Sequence, residues 1–126
     1  MVARTLEELL VYQKAQAACI AVSAILDTPK VRADWDLRCQ LAAASAAVPA
    51  NIAEGFGQQT DRQFVRYLFI ARGSAHEMRS HVTVAHGRQY LSDQEAADLQ
   101  NKYEEIARML TGLIKYLRRT DRKHRG

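Results

Sequence analysis

The chain has 126 residues, of which 48% are hydrophobic and 25% are charged, and this composition is ordinary for one globular domain. No stretch approaches the roughly 18 uninterrupted apolar residues of a membrane span, and the first residues lack the pattern of a secretory signal. We therefore expect a cytoplasmic protein without a membrane partner. The net charge of +4 is uneven, because residues 115–126 hold six Lys or Arg against one Asp, whereas residues 1–114 hold twelve against thirteen acidic residues. Attraction of polyanions must come from the tail or from local clusters.

The first predicted helix covers about residues 6–26. Thr5 and Glu8 match the capping-box pattern, and apolar residues follow at helical spacing. Its other sides are apolar too, because only Gln16 and Ser23 are polar between positions 15 and 26. A helix that is apolar all round needs more burial than four helices provide, so the sequence predicts a homo-oligomer.

The second predicted helix covers about residues 35–54, with Asp34 as its N-cap. Seven alanines between positions 42 and 53 favour helix and allow a neighbouring helix to approach closely. Pro49 cannot donate to the carbonyl four residues earlier, so we expect a kink or a short break there. Gly55 and Gly57 are expected to end this helix.

Two polar residues follow the alanine run. Asn51 and Glu54 are three residues apart and so share one side of the helix. Because a carboxylate among alanines needs a partner, we expect an internal polar network, with Arg72 and Ser74 as the leading partners of Glu54. A ligand or catalytic site is the alternative interpretation of this pair.

Two more capping boxes mark the remaining helices. Thr60 with Gln63 begins a third helix that extends to about position 87, and Ser92 with Glu95 begins a fourth. Apolar residues then recur at three-four spacing as far as Leu117. The pattern predicts an all-α protein of four helices, with a bundle domain over residues 1–117 and a basic C-terminal tail over residues 118–126.

The sequence contains no convincing catalytic or metal-binding motif. His76 and His81 are five residues apart and point in different directions on a helix, so they cannot share a metal as a four-apart pair does. No serine or cysteine has the sequence context of a nucleophile, and Cys19 and Cys39 are expected to be buried, reduced thiols. We therefore expect no enzyme activity, no catalytic residues, no metal and no cofactor.

Several segments together resemble a known family. These are LLVYQKA near the start, VPANIAEG at Val48 to Gly55, FVRYLFIARGSAHEM at Phe64 to Met78, and YLS at Tyr90 to Ser92. They are similar to the 23S ribosomal RNA intervening-sequence proteins, also called four helix bundle proteins. The chain departs from the family pattern in two places. An arginine is usual where Ala43 and Ala44 stand, and a basic residue is usual at Gln58.

The resemblance implies an antiparallel up-and-down four-helix bundle that forms a ring-like homopentamer. In some bacteria, genes of this family lie inside insertions in ribosomal RNA genes. A related branch, the accessory variability proteins of diversity-generating retroelements, uses a basic pentameric barrel to bind nucleic acid and a reverse transcriptase. By analogy, the resemblance implies binding of RNA or another nucleic acid.

The candidate nucleic-acid-binding residues lie in two places. Five belong to the tail and two to the third helix: Arg118, Arg119, Arg122, Lys123, Arg125, Arg62 and Arg66. The tail residues are expected to project as a mobile arm that follows a phosphate backbone. The alternatives are a solvated, frayed end and exposed helix arginines without a ligand. Correspondingly, the alternative function is a protein-interaction or assembly scaffold with a protein partner and no nucleic acid.

Overall fold

The computed structural model describes the backbone of residues 3–125 and the side chains of residues 3–120. This part of the chain is all-helical, as predicted. A short 3-10 helix, Leu6–Glu8, is followed by α1 (Leu10–Leu26), α2 (Pro29–Ala33), α3 (Trp35–Phe56), α4 (Asp61–Gly87) and α5 (Asp93–Arg125). The long helices α1, α3, α4 and α5 are the four that the sequence predicts. The short α2 lies between the first and second predicted helices and begins at Pro29, a residue suited to a first helical turn.

The four long helices pack side by side as a bundle around one apolar core. α3 lies between α1 and α4, and α5 contacts both α4 and α1. α4 and α5 are antiparallel, since hydrogen bonds join Arg72 to Thr111, Arg79 to Gln100 and His86 to Asp93 in reverse order along the two helices. The largest fully buried side chains include Ile52, Leu68 and Tyr103, which come from three different helices. Burying each such side chain contributes about 1.5–3 kcal/mol, so mutual packing holds the helices together. None of the described helices is long and apolar enough to cross a bilayer.

The predicted N-caps form at α3, α4 and α5. Asp34 Oδ1 accepts from the backbone N–H of Leu37 at 3.4 Å, and Thr60 Oγ1 accepts from Gln63 N at 3.2 Å. At α5 the reciprocal box is complete. Ser92 N donates to a carboxylate oxygen of Glu95 at 2.8 Å, while Glu95 N donates to the Ser92 hydroxyl at 3.1 Å.

The predicted capping box of the first helix is wrong. The carboxylate of Glu8 accepts from the backbone N–H of Arg4 at 2.9 Å, and the Thr5 side chain caps no N–H group. Instead, Thr5 O accepts from Glu8 N, and this turn has 3-10 geometry. The α-helix therefore begins at Leu10, four residues later than the sequence predicts.

Of the kink or short break predicted at Pro49, the break does not form, because α3 is continuous across it. Pro49 removes one intrahelical hydrogen bond, but Val48 and Ile52 are fully buried on either side of it. Packing on both sides holds the helix through the position. Tertiary contacts thus override the local preference.

Gly55 has a different role from the one predicted. α3 ends at Phe56, where Gly57 N donates to the carbonyl of Ala53 at 3.2 Å, so Gly57 does mark the end. Gly55 lies inside the helix and is buried against α4. A Cβ atom on it would be 2.8 Å from Tyr67 Cβ and 2.9 Å from a ring carbon of Phe64. The absence of a side chain at Gly55 lets α3 approach α4 closely.

Candidate nucleic-acid interface

Charge is segregated along the antiparallel pair α4 and α5. Residues 61–72 and 108–120 carry seven Arg or Lys against one Asp. The remaining parts of the pair, residues 73–87 and 93–107, carry two Arg or Lys against six Asp or Glu. Because α4 and α5 run in opposite directions, the two basic stretches lie side by side at the same end of the bundle. The two stretches therefore form a local cluster of basic residues, which the net charge of the whole chain does not reveal.

An aromatic ring joins the two basic stretches. Phe69 on α4 is half-buried and packs against the core. The Cζ atom of Arg72 lies 4.7 Å from the ring centroid, and the Cζ atom of Arg118 on α5 lies 4.9 Å from it. Both distances are within the range of cation–π attraction. Arg72 also donates from Nη1 to the hydroxyl of Thr111 at 3.1 Å. The contacts of Phe69 and Arg72 thus bring both helices into one surface.

We define the basic surface as the six basic residues of these stretches that form no ion pair with a carboxylate among the described side chains, residues 3–120. They are Arg62, Arg66, Arg72, Lys115, Arg118 and Arg119. All except Arg72 are exposed. Arg108 is excluded because it pairs with Glu104 at 2.5 Å. Helical geometry places Arg66 and Arg62 one and two turns from Phe69 on the same side of α4.

The two helix arginines singled out from the sequence thus share an end of the bundle with the first tail residues. The predicted projecting arm is wrong at its first residue, because Arg118 lies over Phe69. The backbone of α5 continues as helix to Arg125. The side chains of Arg122, Lys123 and Arg125 lie outside the described residues. Sequence reasoning missed Phe69 and Lys115, although an aromatic residue one turn from Arg66 was a usable signal.

The predicted internal polar network does not form. Glu54 is exposed, and its polar contacts are with Gln58, whose Nε2 lies 3.1 Å from the Glu54 carbonyl and 3.5 Å from a carboxylate oxygen. Asn51 donates to the carbonyl of Ala47 at 2.8 Å within α3. Arg72 bonds Thr111, and the half-buried Ser74 makes no hydrogen bond to Glu54. Glu54 needs no protein partner because water reaches it.

The cysteine prediction holds only in part. Cys19 is half-buried, with its Sγ atom 3.9 Å from the hydroxyl oxygen of Ser45, whereas Cys39 is exposed on α3. Neither forms a disulfide. Near Cys19, burial raises the pKa of Tyr103, whose hydroxyl has no hydrogen-bond partner within the described part of the chain. His, Cys, Asp and Glu side chains of residues 3–120 form no group of three able to hold a metal ion.

A second polar cluster, absent from the sequence predictions, lies at the opposite end of the bundle. Asp34 Oδ2 accepts from Arg88 Nη1 at 2.6 Å and from the Tyr90 hydroxyl at 2.9 Å. The Tyr90 hydrogen bond, with help from Leu37 N and Arg88, lowers the pKa of Asp34, and the same carboxylate raises the pKa of Tyr90. The cluster ties the start of α3 to the loop between α4 and α5.

The outward sides of α1 and α3 form a surface of the opposite character. Ile20 and Trp35 are 72% and 64% exposed. No charged residue occurs in residues 15–26 or 39–53. We define the apolar face as eight exposed nonpolar residues on these outward sides: Ala17, Ile20, Ala24, Trp35, Cys39, Ala43, Ala46 and Ala50. Such an uncharged surface is typical of a contact with another protein.

Comparison with known proteins places the chain among its relatives. The profile of the 23S rRNA-intervening sequence protein family matches residues 7–112. No curated protein matches the chain. The fold is similar to the crystal structure of a protein with unknown function from the S23 ribosomal protein family of Bacteroides thetaiotaomicron VPI-5482. The TM-score is 0.79 at 20% sequence identity, over 83% of this chain and 98% of that one. Since the family profile spans most of the sequence, this chain belongs to the 23S rRNA-intervening sequence protein family.

Proposed function

We propose that this protein is a non-enzymatic, homo-oligomeric helix bundle that binds RNA or another nucleic acid through its basic surface. The observation that carries the proposal is the segregation of charge on α4 and α5. Seven basic residues against one acidic residue lie at one end of the pair, next to the half-buried Phe69. The family name, which refers to an intervening sequence in 23S rRNA, agrees with a nucleic-acid ligand.

The chemistry of the basic surface suits phosphate groups. Five of its six members are arginines, whose planar guanidinium groups donate two parallel hydrogen bonds to a phosphate. Arg62, Arg66 and Arg119 are exposed, so a nucleic acid can reach them without a rearrangement of the bundle. Nearby acidic side chains would repel a polyanion, but in these stretches only Asp61 is acidic. The opposite half of the helix pair, residues 73–87 and 93–107, is unsuited to binding a polyanion because it is acidic.

The salt dependence of binding tests the proposal. Protein freed of nucleic acid by nuclease and high salt is titrated against a single-stranded RNA oligonucleotide between 50 and 200 mM salt. If all six side chains contact phosphates, log affinity falls with log salt at a slope of roughly −4 per subunit, from about −0.7 for each contact. The triple variant Arg66→Gln/Arg118→Gln/Arg119→Gln should reduce that slope by about 2 and weaken binding at the lower salt concentration.

A matched control removes the same charge elsewhere. Lys30→Gln/Arg32→Gln/Lys102→Gln neutralises three exposed basic residues outside the basic surface. This control should retain the slope and most of the affinity. If both triple variants lose affinity equally, the basic surface is not the binding site.

The end of the chain is tested separately by truncation. Removing residues 121–126 deletes Arg122, Lys123 and Arg125 but leaves Arg118 and Arg119 in place. The proposal expects the truncated protein to keep most of its RNA affinity and its salt slope, because all six residues of the basic surface remain. A complete loss of binding would instead place the binding site in the last six residues, as the original prediction of an arm requires.

We further propose that the apolar face is covered by a second copy of the chain, and that the assembly is the pentameric ring which the family resemblance implies. The support is the exposure of Ile20 and Trp35 together with the two uncharged stretches of α1 and α3. The same face favours the second candidate function, a protein-interaction scaffold. A nuclease-treated protein that binds no RNA but retains a defined protein partner would support the scaffold.

A further inference from the structure

The basic surface is built around one uncharged side chain. The ring of Phe69 carries Arg72 from its own helix and Arg118 from α5, with the Cζ atoms 4.7 Å and 4.9 Å from its centroid. We propose that Phe69 is a positioning residue that holds these two arginines for neighbouring phosphates, so that the surface recognises the sugar–phosphate backbone and not the bases. This inference deepens the proposed function and rests on it.

Holding the arginines in advance lowers the cost of binding. An arginine on a helix surface samples many rotamers, and a ligand must order it. The face of Phe69 attracts each guanidinium group electrostatically, and Thr111 adds a 3.1 Å hydrogen bond to Arg72. Ordering is therefore completed when the bundle folds, before a ligand arrives. Because Arg118 comes from α5, the contact also fixes the spacing between arginines of two helices.

Both guanidinium groups keep the capacity to bind phosphate. Arg72 donates from Nη1 to Thr111, which leaves the other N–H groups of that guanidinium for a ligand. A guanidinium that lies flat on the ring keeps its in-plane N–H donors free, and one that stands edge-on still presents the donors of its opposite edge. Phosphate oxygens can thus be bound while the arginines remain over Phe69.

The same geometry excludes stacking of a base on the ring. Single-strand-binding proteins commonly stack bases on an exposed aromatic face. Here Phe69 is half-buried against the core, and two guanidinium groups already lie over it. A base would have to displace an arginine, which removes a phosphate contact at the same time. Binding that is independent of base identity follows from this arrangement.

The test compares a ligand that has bases with one that has none. Wild type and Phe69→Leu are titrated against single-stranded oligouridine and against inorganic polyphosphate of similar charge. We expect Phe69→Leu to bind both probes about threefold to tenfold more weakly, because leucine fills the space without attracting the guanidinium groups. Phe69→Tyr, which keeps the ring, should bind both as the wild type does.

Two controls separate positioning from a general effect on structure. In an Arg72→Gln/Arg118→Gln background, Phe69→Leu should have no further effect on affinity, because there is nothing left to position. Phe56→Leu removes another half-buried ring, which packs edge-on against Phe64 and has no guanidinium over it among the described side chains. This variant should retain the wild-type affinity for both probes, and light scattering verifies that each variant keeps its assembly state.

Three results would overturn the inference. If Phe69→Leu weakened binding to oligouridine but not to polyphosphate, the ring would stack on a base. An unchanged affinity of Phe69→Leu for both probes, in a protein whose wild type binds with a steep salt slope, would remove the role of Phe69 and leave the proposed function intact. A wild type that binds neither probe would overturn the proposed function itself.

Discussion

The outward sides of the two helix pairs differ in almost every property. On α4 and α5, one end presents arginines around a half-buried phenylalanine, while the other end is acidic. On α1 and α3, the apolar face consists of alanines together with Ile20, Trp35 and Cys39, and charges are absent from residues 15–26 and 39–53. Charged, flexible side chains suit a polyanion in water, whereas small apolar side chains let another helix approach closely. The two proposals accordingly assign assembly to one pair of helices and ligand binding to the other.

The largest effect is expected from a charge on the apolar face. Ile20→Glu adds a carboxylate to a residue that is 72% exposed and away from the core, so it should dissociate the oligomer without unfolding the subunit. Light scattering should show a particle larger than 14.2 kDa for the wild type and one of 14.2 kDa for the variant.

The matched control for Ile20→Glu is Ser80→Glu, which places the same charge at an exposed position of α4. This control should leave the assembly unchanged. A wild-type protein that is already monomeric at micromolar concentration would contradict the assembly proposal. The apolar face of α1 and α3 would then have no role in assembly.

A smaller effect is expected from adding one methyl group to each of two glycines, one packed between α3 and α4 and the other on the exposed side of α4. Gly55→Ala should lower the free energy of unfolding by about 1–3 kcal/mol, because the new Cβ would meet Tyr67 and Phe64 at 2.8 and 2.9 Å. Gly73→Ala, on the exposed side of α4 with nothing within 4 Å, should raise it by about 0.4–1 kcal/mol. Chemical denaturation measures both, and destabilisation by Gly73→Ala would mean that this side of α4 is covered.

The two helix pairs are connected through Asp34, and the strength of this connection should depend on pH. The pKa of Asp34 is lowered on folding, so its contribution to stability is present above about pH 4 and is lost as pH falls through the folded pKa. For Tyr90, whose pKa is raised, the contribution is present below about pH 10 and is lost as pH rises through the folded pKa.

Denaturation of Asp34→Asn at several pH values tests this connection. The variant should be less stable than the wild type at neutral pH, and the difference should shrink in acid. Tyr90→Phe serves as the control, because it removes one hydrogen bond to Asp34 and keeps the Arg88 ion pair. A difference between Asp34→Asn and wild type that stays constant down to pH 2 would show that the carboxylate charge is unimportant.

The smallest effect is expected at Glu54, near the edge of the apolar face. Because Glu54 is exposed, Glu54→Ala should change the free energy of unfolding by less than about 0.5 kcal/mol. A loss of stability of several times that size, measured by denaturation of the assembled protein, would indicate that Glu54 is buried by a neighbouring subunit. Such a result would extend the apolar face to the end of α3.

The candidate site was predictable only in pieces. The tail arginines stand out in the sequence as a run of one charge, and Arg62 and Arg66 stand out because they are four residues apart on one side of a helix. Their convergence depends on the antiparallel packing of α4 against α5, which no local spacing encodes. Glu54 shows the opposite failure: a carboxylate beside an alanine run predicts burial only if that side of the helix is inside, and here it faces outward.

Local sequence did determine the helices and most of their ends. Apolar residues at helical spacing predicted α1, α4 and α5, and the alanine run predicted α3. Side chains at Asp34, Thr60 and Ser92 start helices because their bonds reach only three residues. Tertiary structure alone decided that Pro49 is helical, that α4 packs closely against Gly55, and that Arg118 lies over the ring of Phe69. The physical reason is distance: these outcomes depend on what packs against each residue from elsewhere in the chain, and packing energies exceed the local preferences they override.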